Sequence, residues 1–278
     1  MSLYFSSLNS GSNGNCYYIG NCEDAVLIDA GLSCRETEKR MARSGLEMSK
    51  VRAIFISHEH SDHIRGVEFI SRKFKIPVYI SKGTHALKQL SVDDGLLHYF
   101  HSNLTVTIGD LQVLAFSKKH DASDPHSFAV SGNGVTVGVL TDIGAPCSNV
   151  IHYFRQCNAA FLESNYDEEM LENGSYPAHL KKRISSSHGH LSNHQALELF
   201  TRHRPAAMSH LLLSHLSQEN NDPEIVENLF KRHAGKTLIA IASRHIESQV
   251  YQITAAENAG SRQQTVVLKL EYIQPNLF

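Results

Sequence analysis

Short apolar runs that stop abruptly at polar or charged residues recur along the chain. Residues 25–28 end at Asp29, and residues 135–140 end at Thr141 and Asp142. Runs of this length, bounded by turn or polar residues, are typical of buried strands. Segments with helical spacing alternate with them, so the pattern predicts a layered α/β fold in which polar groups stand where strands end.

Capping and turn signals place further elements between these strands. Residues 33–44 end in basic side chains before Gly45, which predicts a helix. Ser192 and Gln195 have the spacing of a capping box, so a helix should begin there and run to about residue 202. The other predicted elements are helices near residues 65–74, 84–90, 167–172, 177–183 and 223–233, and strands near 77–80, 104–116, 159–162, 207–213, 238–242, 249–254 and 265–270.

The stretch around Asn13-Gly14 lies between two strand-like flanks. Both residue types tolerate positive φ, so the pair predicts a hairpin turn. A tight turn is one interpretation of residues 9–15, and a loop whose amides and hydroxyls reach a bound phosphate is the other.

The densest group of metal-binding side chains follows a strand-like run and has the pattern His-x-His-x-Asp-His at residues 58–63. His58 and His60 face the same way in an extended chain, so both can bind one ion. Asp62 and His63 then turn toward a second ion. Solvated loop residues rarely cluster in this way, and we therefore predict a two-metal site.

Isolated polar residues stand at the ends of further strands. His120 is the predicted third histidine of the first metal, in preference to His126, which begins the next strand. Asp142 can give one carboxylate oxygen to each of two metals. Because strand ends gather at one edge of a sheet sandwich, we expect convergence of the whole set: Asp29, His58, His120, Asp142, Glu163 and His215.

Composition adds limits to this picture. The 278 residues, 41% of them hydrophobic, can bury one large core, and no repeat or low-complexity linker divides them, so we predict one domain over residues 1–278. The five cysteines include no Cys-x-x-Cys pair, which favours reduced thiols. No signal-like start or membrane-length apolar run is present, so a cytoplasmic protein without membrane contact is expected.

Charge gives no global reason for binding nucleic acid, because the formal net charge is −2. Bound metal ions can nevertheless attract phosphates locally. Basic clusters at residues 118–119, 181–183 and 202–204 either line a nucleic-acid track or form solvated surface, and solvated surface is the expectation for any one of them.

The histidine motif, the Asp29-Ala30-Gly31 strand end and the later isolated ligands resemble the metallo-β-lactamase superfamily over about residues 1–245. The resemblance implies a four-layer αββα sandwich with two metals at its edge, and Asp29 would support the ligand loop by hydrogen bonding. Zinc suits the ligand types, and manganese or iron is compatible with the second site. The implied ligands are His58, His60 and His120 for the first metal, Asp62, His63 and His215 for the second, and Asp142 as the bridge.

Further residues narrow the resemblance. Asp142 stands where the commonest class B β-lactamases carry cysteine, and the strand-like end of the chain differs from the helical domain of glyoxalase-type thioesterases. His190-Leu191-Ser192 together with Glu163 is similar to RNase Z-like phosphodiesterases. Segments 10–16, 163–167, 189–193 and 215–220 resemble the YycJ-type group, which are DNA exonucleases acting from the 5′ end.

The hypothesis is therefore a dinuclear phosphodiester hydrolase in which a water activated between the metals attacks phosphorus. Asp62 or Asp142 would accept the proton of that water, and His190, held protonated by Glu163, would donate to the leaving oxygen. A capping role without catalysis is the alternative for His190. Other hypotheses for the protein are an RNA-processing or small-molecule phosphodiesterase, a thioesterase, and a metal-bearing sensor without turnover.

Overall fold

The strands pair into two seven-stranded sheets in the computed structural model, which describes residues 2–255. In spatial order the first sheet contains β14 (Tyr251–Thr254), β1 (Ser2–Asn9), β2 (Cys16–Gly20), β3 (Ala25–Ile28), β4 (Val51–Phe55), β5 (Val78–Ile80) and β6 (Leu97–Tyr99). Strands β3 to β6 run parallel, while β14, β1, β2 and β3 pair antiparallel.

The second sheet has the same mixed construction. In spatial order it contains β13 (Leu238–Ile241), β12 (His210–Ser214), β11 (Ala159–Glu163), β10 (Val135–Leu140), β9 (His126–Gly132), β8 (Leu111–Ser117) and β7 (Thr105–Ile108). Strands β10 to β13 are parallel, and β7 to β10 are antiparallel.

Aromatic side chains fill the space between the two sheets. Phe5 of the first sheet meets Phe161 of the second edge to face, with ring centroids 5.8 Å apart, and both are fully buried. Phe55 and Phe128 make a similar contact at 5.8 Å. Burial of each such ring contributes about 1.5–3 kcal/mol, so this contact layer is what holds the sheets face to face.

Helices cover the outer face of each sheet and complete the four layers. Met41 and Ile70 pack on the first sheet, whereas Phe154, Leu199 and Phe230 pack on the second. The αββα architecture predicted from the sequence is therefore confirmed. The helices are α1 (Cys34–Arg43), α2 (Ser61–Ile64), α3 (Val67–Phe74), α4 (Lys82–Leu87), α5 (Ser148–Phe154), α6 (Glu168–Asn173), α7 (Ala178–Ile184), α8 (Asn193–His203) and α9 (Pro223–Lys231).

Local capping explains why several helices begin where the sequence indicates. The Ser33 hydroxyl accepts the amide of Glu36 at the start of α1. Ser192 and Gln195 form the predicted capping box at the start of α8, with both reciprocal hydrogen bonds present. Such a cap stabilises a helix by about 1 kcal/mol.

The structure corrects some predicted boundaries. The helix predicted over residues 65–74 begins at Val67, and a separate turn, α2, lies inside the histidine motif. Gly66 lies between the two helices. A side chain could not be placed there, because a Cβ would lie 1.9 Å from the Leu32 carbonyl oxygen. Helix α5 and strand β6 were not predicted. The predicted strand at 265–270 lies outside the described residues, so the 1–278 extent of the domain stays a prediction.

The predicted hairpin exists, but its connection is longer than a two-residue turn. Strands β1 and β2 are antiparallel, and residues 10–15 form a loop between them. Positive φ occurs at Gly11 and Gly14 and not at Asn13. Among residues 2–255, every helix is too short or too polar to cross a membrane.

Candidate metal centre

Loops that follow strands of both sheets meet at one edge of the sandwich. The histidine motif follows β4, while Asp142, Glu163 and His215 stand at the ends of β10, β11 and β12. His120 follows β8 and joins them, whereas His126 begins β9, where it is paired with Ser117 and its ring packs on Phe100. The structure thus brings all the predicted ligand residues together.

The first group of ligand atoms consists of three imidazoles. Nitrogen atoms of His58, His60 and His120 all lie within 4.8 Å of one another. His58 Nδ1 is 2.9 Å from the Ser57 hydroxyl, and His120 Nδ1 is 3.0 Å from the Gly189 carbonyl oxygen. Each Nδ1–H therefore donates outward, so that Nε2 faces the other imidazoles of the group, as is usual for metal-binding histidines. His58 Nε2 lies 3.0 Å from His60 Nδ1.

The second group contains a carboxylate and two imidazoles. Ligand atoms of Asp62, His63 and His215 also lie within 4.8 Å of one another. The Asp29 carboxylate accepts a hydrogen bond from His63 Nδ1 at 2.7 Å and binds Ser57 through both its oxygens. This geometry matches the supporting role expected of Asp29, because it orients the motif without entering the group.

Asp142 lies between the two groups. Its Oδ2 is 3.3 Å from His63 Nε2, and its Oδ1 is 3.5 Å from His215 Nε2 and 3.9 Å from His120 Nε2. Burial opposes ionisation, but the nearby His215 and His63 hold the pKa of Asp142 well below its usual value. A fully ionised carboxylate thus stands between both groups.

The two groups differ in the direction of their imidazole pKa shifts. Burial lowers the pKa of His58, and it lowers that of His120 to about 4. Burial also disfavours charge on His215, but the nearby carboxylates of Asp142, Asp62 and Glu163 outweigh it and raise the pKa of His215 to about 10. Metal binding at the second group is therefore linked to proton release.

Unsatisfied polar atoms test whether the centre suits a cation. His120 Nε2, Asp142 Oδ2 and His215 Nε2 are buried and have no hydrogen-bond partner among residues 2–255. Leaving each such atom unpaired costs about 1–3 kcal/mol. A divalent cation bound by imidazole and carboxylate would satisfy all three, so the cluster fits divalent metal binding.

Three site residues adopt a backbone conformation that is uncommon outside glycine. Asp29, Asp142 and His215 have φ of 61°, 53° and 57°. Left-handed backbone of this kind costs about 1–3 kcal/mol at functional sites and turns a side chain away from the direction of its strand. The side chains of Asp142 and His215 thus point into the centre, and that of Asp29 reaches His63 Nδ1 behind it.

Glu163 connects the centre to His190. Its carboxylate is fully buried, and Oε1 accepts from His190 Nδ1 at 2.7 Å and from His215 Nδ1 at 3.0 Å. Its Oε2 accepts the backbone amides of Ile143 and Leu191 at 2.7 and 3.1 Å. Burial raises the pKa of Glu163, but His190 outweighs it, and the pKa is about 2. His190, whose side chain is 19% exposed, thus keeps Nε2 toward the cleft.

Sequence reasoning gave no role to several residues that support the ligands. Asn15 Nδ2 lies 3.1 Å from both Asp62 Oδ2 and His63 Nε2. Asn165 Nδ2 donates to the His215 carbonyl oxygen at 2.7 Å. Asn15 is the last residue of the loop that was considered for phosphate binding. Its place in that loop was the one sequence feature that could have pointed to its role.

In the basic cluster at residues 118–119, the expectation of solvated surface was wrong for Lys118, whereas Lys119 is exposed. Lys118 is only 7% exposed, and its ammonium donates to the Thr141 carbonyl oxygen at 2.7 Å, directly before Asp142. It is therefore neither solvated surface nor part of a nucleic-acid track. Its buried charge offsets part of the negative charge of the surrounding carboxylates.

Comparisons with known proteins agree with this fold. Residues 24–215 match the family model described as Beta-lactamase superfamily domain. The chain is 36% identical to exodeoxyribonuclease YycJ of Bacillus anthracis, over 81% of this chain and 86% of that protein. It is 34% identical to exodeoxyribonuclease WalJ of Streptococcus pneumoniae serotype 2, over 80% of this chain and 84% of that protein.

A solved structure shows the same fold. The metallo-β-lactamase fold protein YhfI from Bacillus subtilis superposes with a TM-score of 0.70 at 15% sequence identity, and the match covers 91% of this chain and all of that one. The family match over most of the chain, the relatives at more than 30% identity and the two-sheet fold lead to one conclusion: the chain belongs to the metallo-β-lactamase superfamily.

Proposed function

We propose that this protein is a metal-dependent nuclease that acts as a DNA exonuclease from the 5′ end. The observation that carries the proposal is the Glu163–His190 pair, held at 2.7 Å beside a cluster suited to metal ions. The pair places a proton donor at the cleft, which hydrolysis of a phosphodiester requires for its leaving oxygen. Two relatives named exodeoxyribonuclease, at 36% and 34% identity, support the choice of DNA.

The proposed cofactors are two divalent ions, preferably zinc, with manganese or iron also compatible with the ligand types. Asp142 would contribute to both sites, as its position between the groups suggests. When bound, such ions offset charge on phosphoryl oxygens and lower the pKa of a coordinated water. The proposed ligands are His58, His60 and His120 for one ion and Asp62, His63 and His215 for the other.

Two side chains would carry out the two proton transfers of the reaction, one as acceptor and the other as donor. The Asp62 side chain is 16% exposed, against 2% for Asp142, so we assign Asp62 as the acceptor of the proton from the attacking water. His190 Nε2 donates to the leaving oxygen. Glu163 acts by positioning, because its buried carboxylate accepts a hydrogen bond from His190 Nδ1 and so orients the ring with Nε2 toward the leaving oxygen.

A direct assay tests the proposal. Metal-loaded protein is incubated with bis-p-nitrophenyl phosphate and with DNA and RNA that carry a label at the 5′ or the 3′ end. We expect release from DNA, with mononucleotides appearing first from the 5′ end. Absence of any release would favour the metal-bearing sensor, and faster release from RNA would move the substrate class to RNA processing.

We also propose that the protein acts in the cytoplasm. All five of its cysteines are free, and two of them, Cys16 and Cys157, are buried. Unpaired thiols persist in reducing compartments. Fractionation of cells, followed by detection of the protein with an antibody, tests this placement.

A further inference from the structure

Two arginines flank the loop formed by residues 10–15. Arg244 Nη2 donates to the Ser12 hydroxyl at 3.0 Å, and its Nη1 donates to Gln218 Oε1 at 2.6 Å. On the other side, Arg65 Nη1 donates to the Asn13 carbonyl oxygen at 3.3 Å. Both guanidinium groups thus contact neutral acceptors.

Neither arginine forms an ion pair within 4.0 Å of a carboxylate in the part of the chain that the structure describes. Other arginines do, such as Arg43 with Glu247 at 2.6 Å. Arg244 Nε is buried and makes no hydrogen bond within residues 2–255, and burial lowers the pKa of this guanidinium. Its charge is therefore partly desolvated, and Glu219 compensates for it only from beyond 4.0 Å, an arrangement that favours binding of an anion in direct contact.

The same loop contacts the second metal group. Asn15 binds Asp62 and His63, and the Ser10 hydroxyl accepts the backbone amide of His215 at 2.7 Å. The Ser10 amide in turn donates to the carbonyl oxygen of Ser243, the neighbour of Arg244, at 3.1 Å. One short loop thus contacts both the Arg244 guanidinium and residues of the second metal group.

Gly11 makes room for this arrangement. Its φ is 135°, a conformation that side-chain-bearing residues rarely adopt. A Cβ at this position would lie 2.8 Å from Arg244 Nη2. The loop therefore accommodates the guanidinium through a specific glycine, which argues against a chance surface contact.

We propose that Arg244, assisted by Arg65, binds a phosphodiester group of the nucleic-acid strand that neighbours the bond being cleaved. The inference rests on the proposed nuclease function and identifies residues with which the enzyme would bind its substrate. A guanidinium presents a rigid fork of N–H donors that matches two phosphate oxygens, and its charge persists at any physiological pH. Arg244 is a specificity residue for a polymer, because a substrate with a single phosphate cannot use this contact.

The test measures binding of a phosphorothioate-linked oligonucleotide, which resists hydrolysis, by fluorescence anisotropy across a salt series. Arg244→Gln should weaken binding about tenfold and reduce the slope of log Kd against log salt by about one, as the loss of one phosphate contact predicts. Arg65→Gln should act in the same direction with a smaller change. Arg232→Gln, an exposed arginine after the carboxyl end of α9, is the matched control.

Hydrolysis separates this inference from the proposed function. We expect Arg244→Gln to lose at least tenfold more activity on DNA than on bis-p-nitrophenyl phosphate. Equal losses on both substrates, or salt slopes for Arg244→Gln and Arg65→Gln that equal the slope of Arg232→Gln, would overturn the inference. If Arg244→Gln does not fold, the slope of Arg65→Gln alone decides. An inactive wild-type protein would refute the proposed nuclease function. The salt slopes of binding would still test whether Arg244 and Arg65 contact phosphate.

Discussion

The two ligand groups of the metal centre lie side by side but are supported in different ways. In the first, the Nδ1–H groups of His58 and His120 donate hydrogen bonds to neutral acceptors. These acceptors are the Ser57 hydroxyl and the Gly189 carbonyl oxygen. In the second, His63 and His215 face buried carboxylates at 2.7 and 3.0 Å. A carboxylate behind an imidazole makes the ring a stronger metal ligand, so the groups should differ in affinity and in their response to pH.

Removing the residue between the groups should have the largest effect. Asp142→Ala deletes a carboxylate that lies close to both groups, so we expect turnover to fall by about 10³-fold or more and metal content to drop at both groups. Metal analysis of the purified variant, together with DNA hydrolysis, measures this. Asp110→Ala, an exposed acid in the turn before β8, is the control, and full activity in Asp142→Ala would show that the bridge is wrongly assigned.

Removing the proton donor should slow hydrolysis while sparing both groups. His190→Ala leaves all the proposed ligands in place, so metal content should stay at the wild-type level while cleavage becomes about 10²–10³-fold slower. His188→Ala removes an exposed histidine two positions away and serves as control. Loss of metal from His190→Ala would make His190 a ligand instead.

Weakening the hydrogen bond behind His63 should lower the metal affinity of one group more than that of the other. Asp29→Asn keeps the shape of the side chain but removes the charge that faces His63 Nδ1. Affinity for one metal equivalent should fall about 10–100-fold, with a smaller change in the other. Titration with a metal-sensitive dye resolves the two equivalents, and a uniform loss of both would mean that Asp29 supports the groups equally.

Proton release should distinguish the groups at neutral pH. Without metal, His215 has a pKa of about 10 and is protonated at pH 7, whereas His120 has a pKa of about 4 and is neutral. Affinity of the second group should therefore rise as pH rises from 7 toward 10, and affinity of the first should not. Calorimetry in buffers of different ionisation enthalpy counts the protons released, and equal release at both groups contradicts this prediction.

The smallest effect is expected outside both groups. Ser192→Ala removes the side-chain cap of α8, which begins three residues after His190. The free energy of unfolding should fall by about 1 kcal/mol, while both metal equivalents remain bound. Urea denaturation gives the stability change. Loss of metal from this variant would show that the N-terminus of α8 also positions the metal ligands.

Local spacing accounts for what could be predicted. The pattern at residues 58–63, the Ser192 capping box and the strand ends at Asp29 and Asp142 depend on neighbours in the chain, whose geometry follows from backbone periodicity. The choice of His120 over His126 also followed from local position, since a residue inside a strand is fixed by its pairing. Helix α5 was missed because its sequence carries no side-chain cap at its start.

The sequence by itself determined the layered fold, the ligand types and their approach to one edge of the sheets, because each depends on periodicity and on short spacings. Only the tertiary structure decided that Lys118 is buried, that Asn15 reaches Asp62, and that Arg244 lies against the 10–15 loop. Arg244 and Ser12 are 232 positions apart in the chain. Contacts of this kind arise from how the two sheets pack, and no local pattern encodes them.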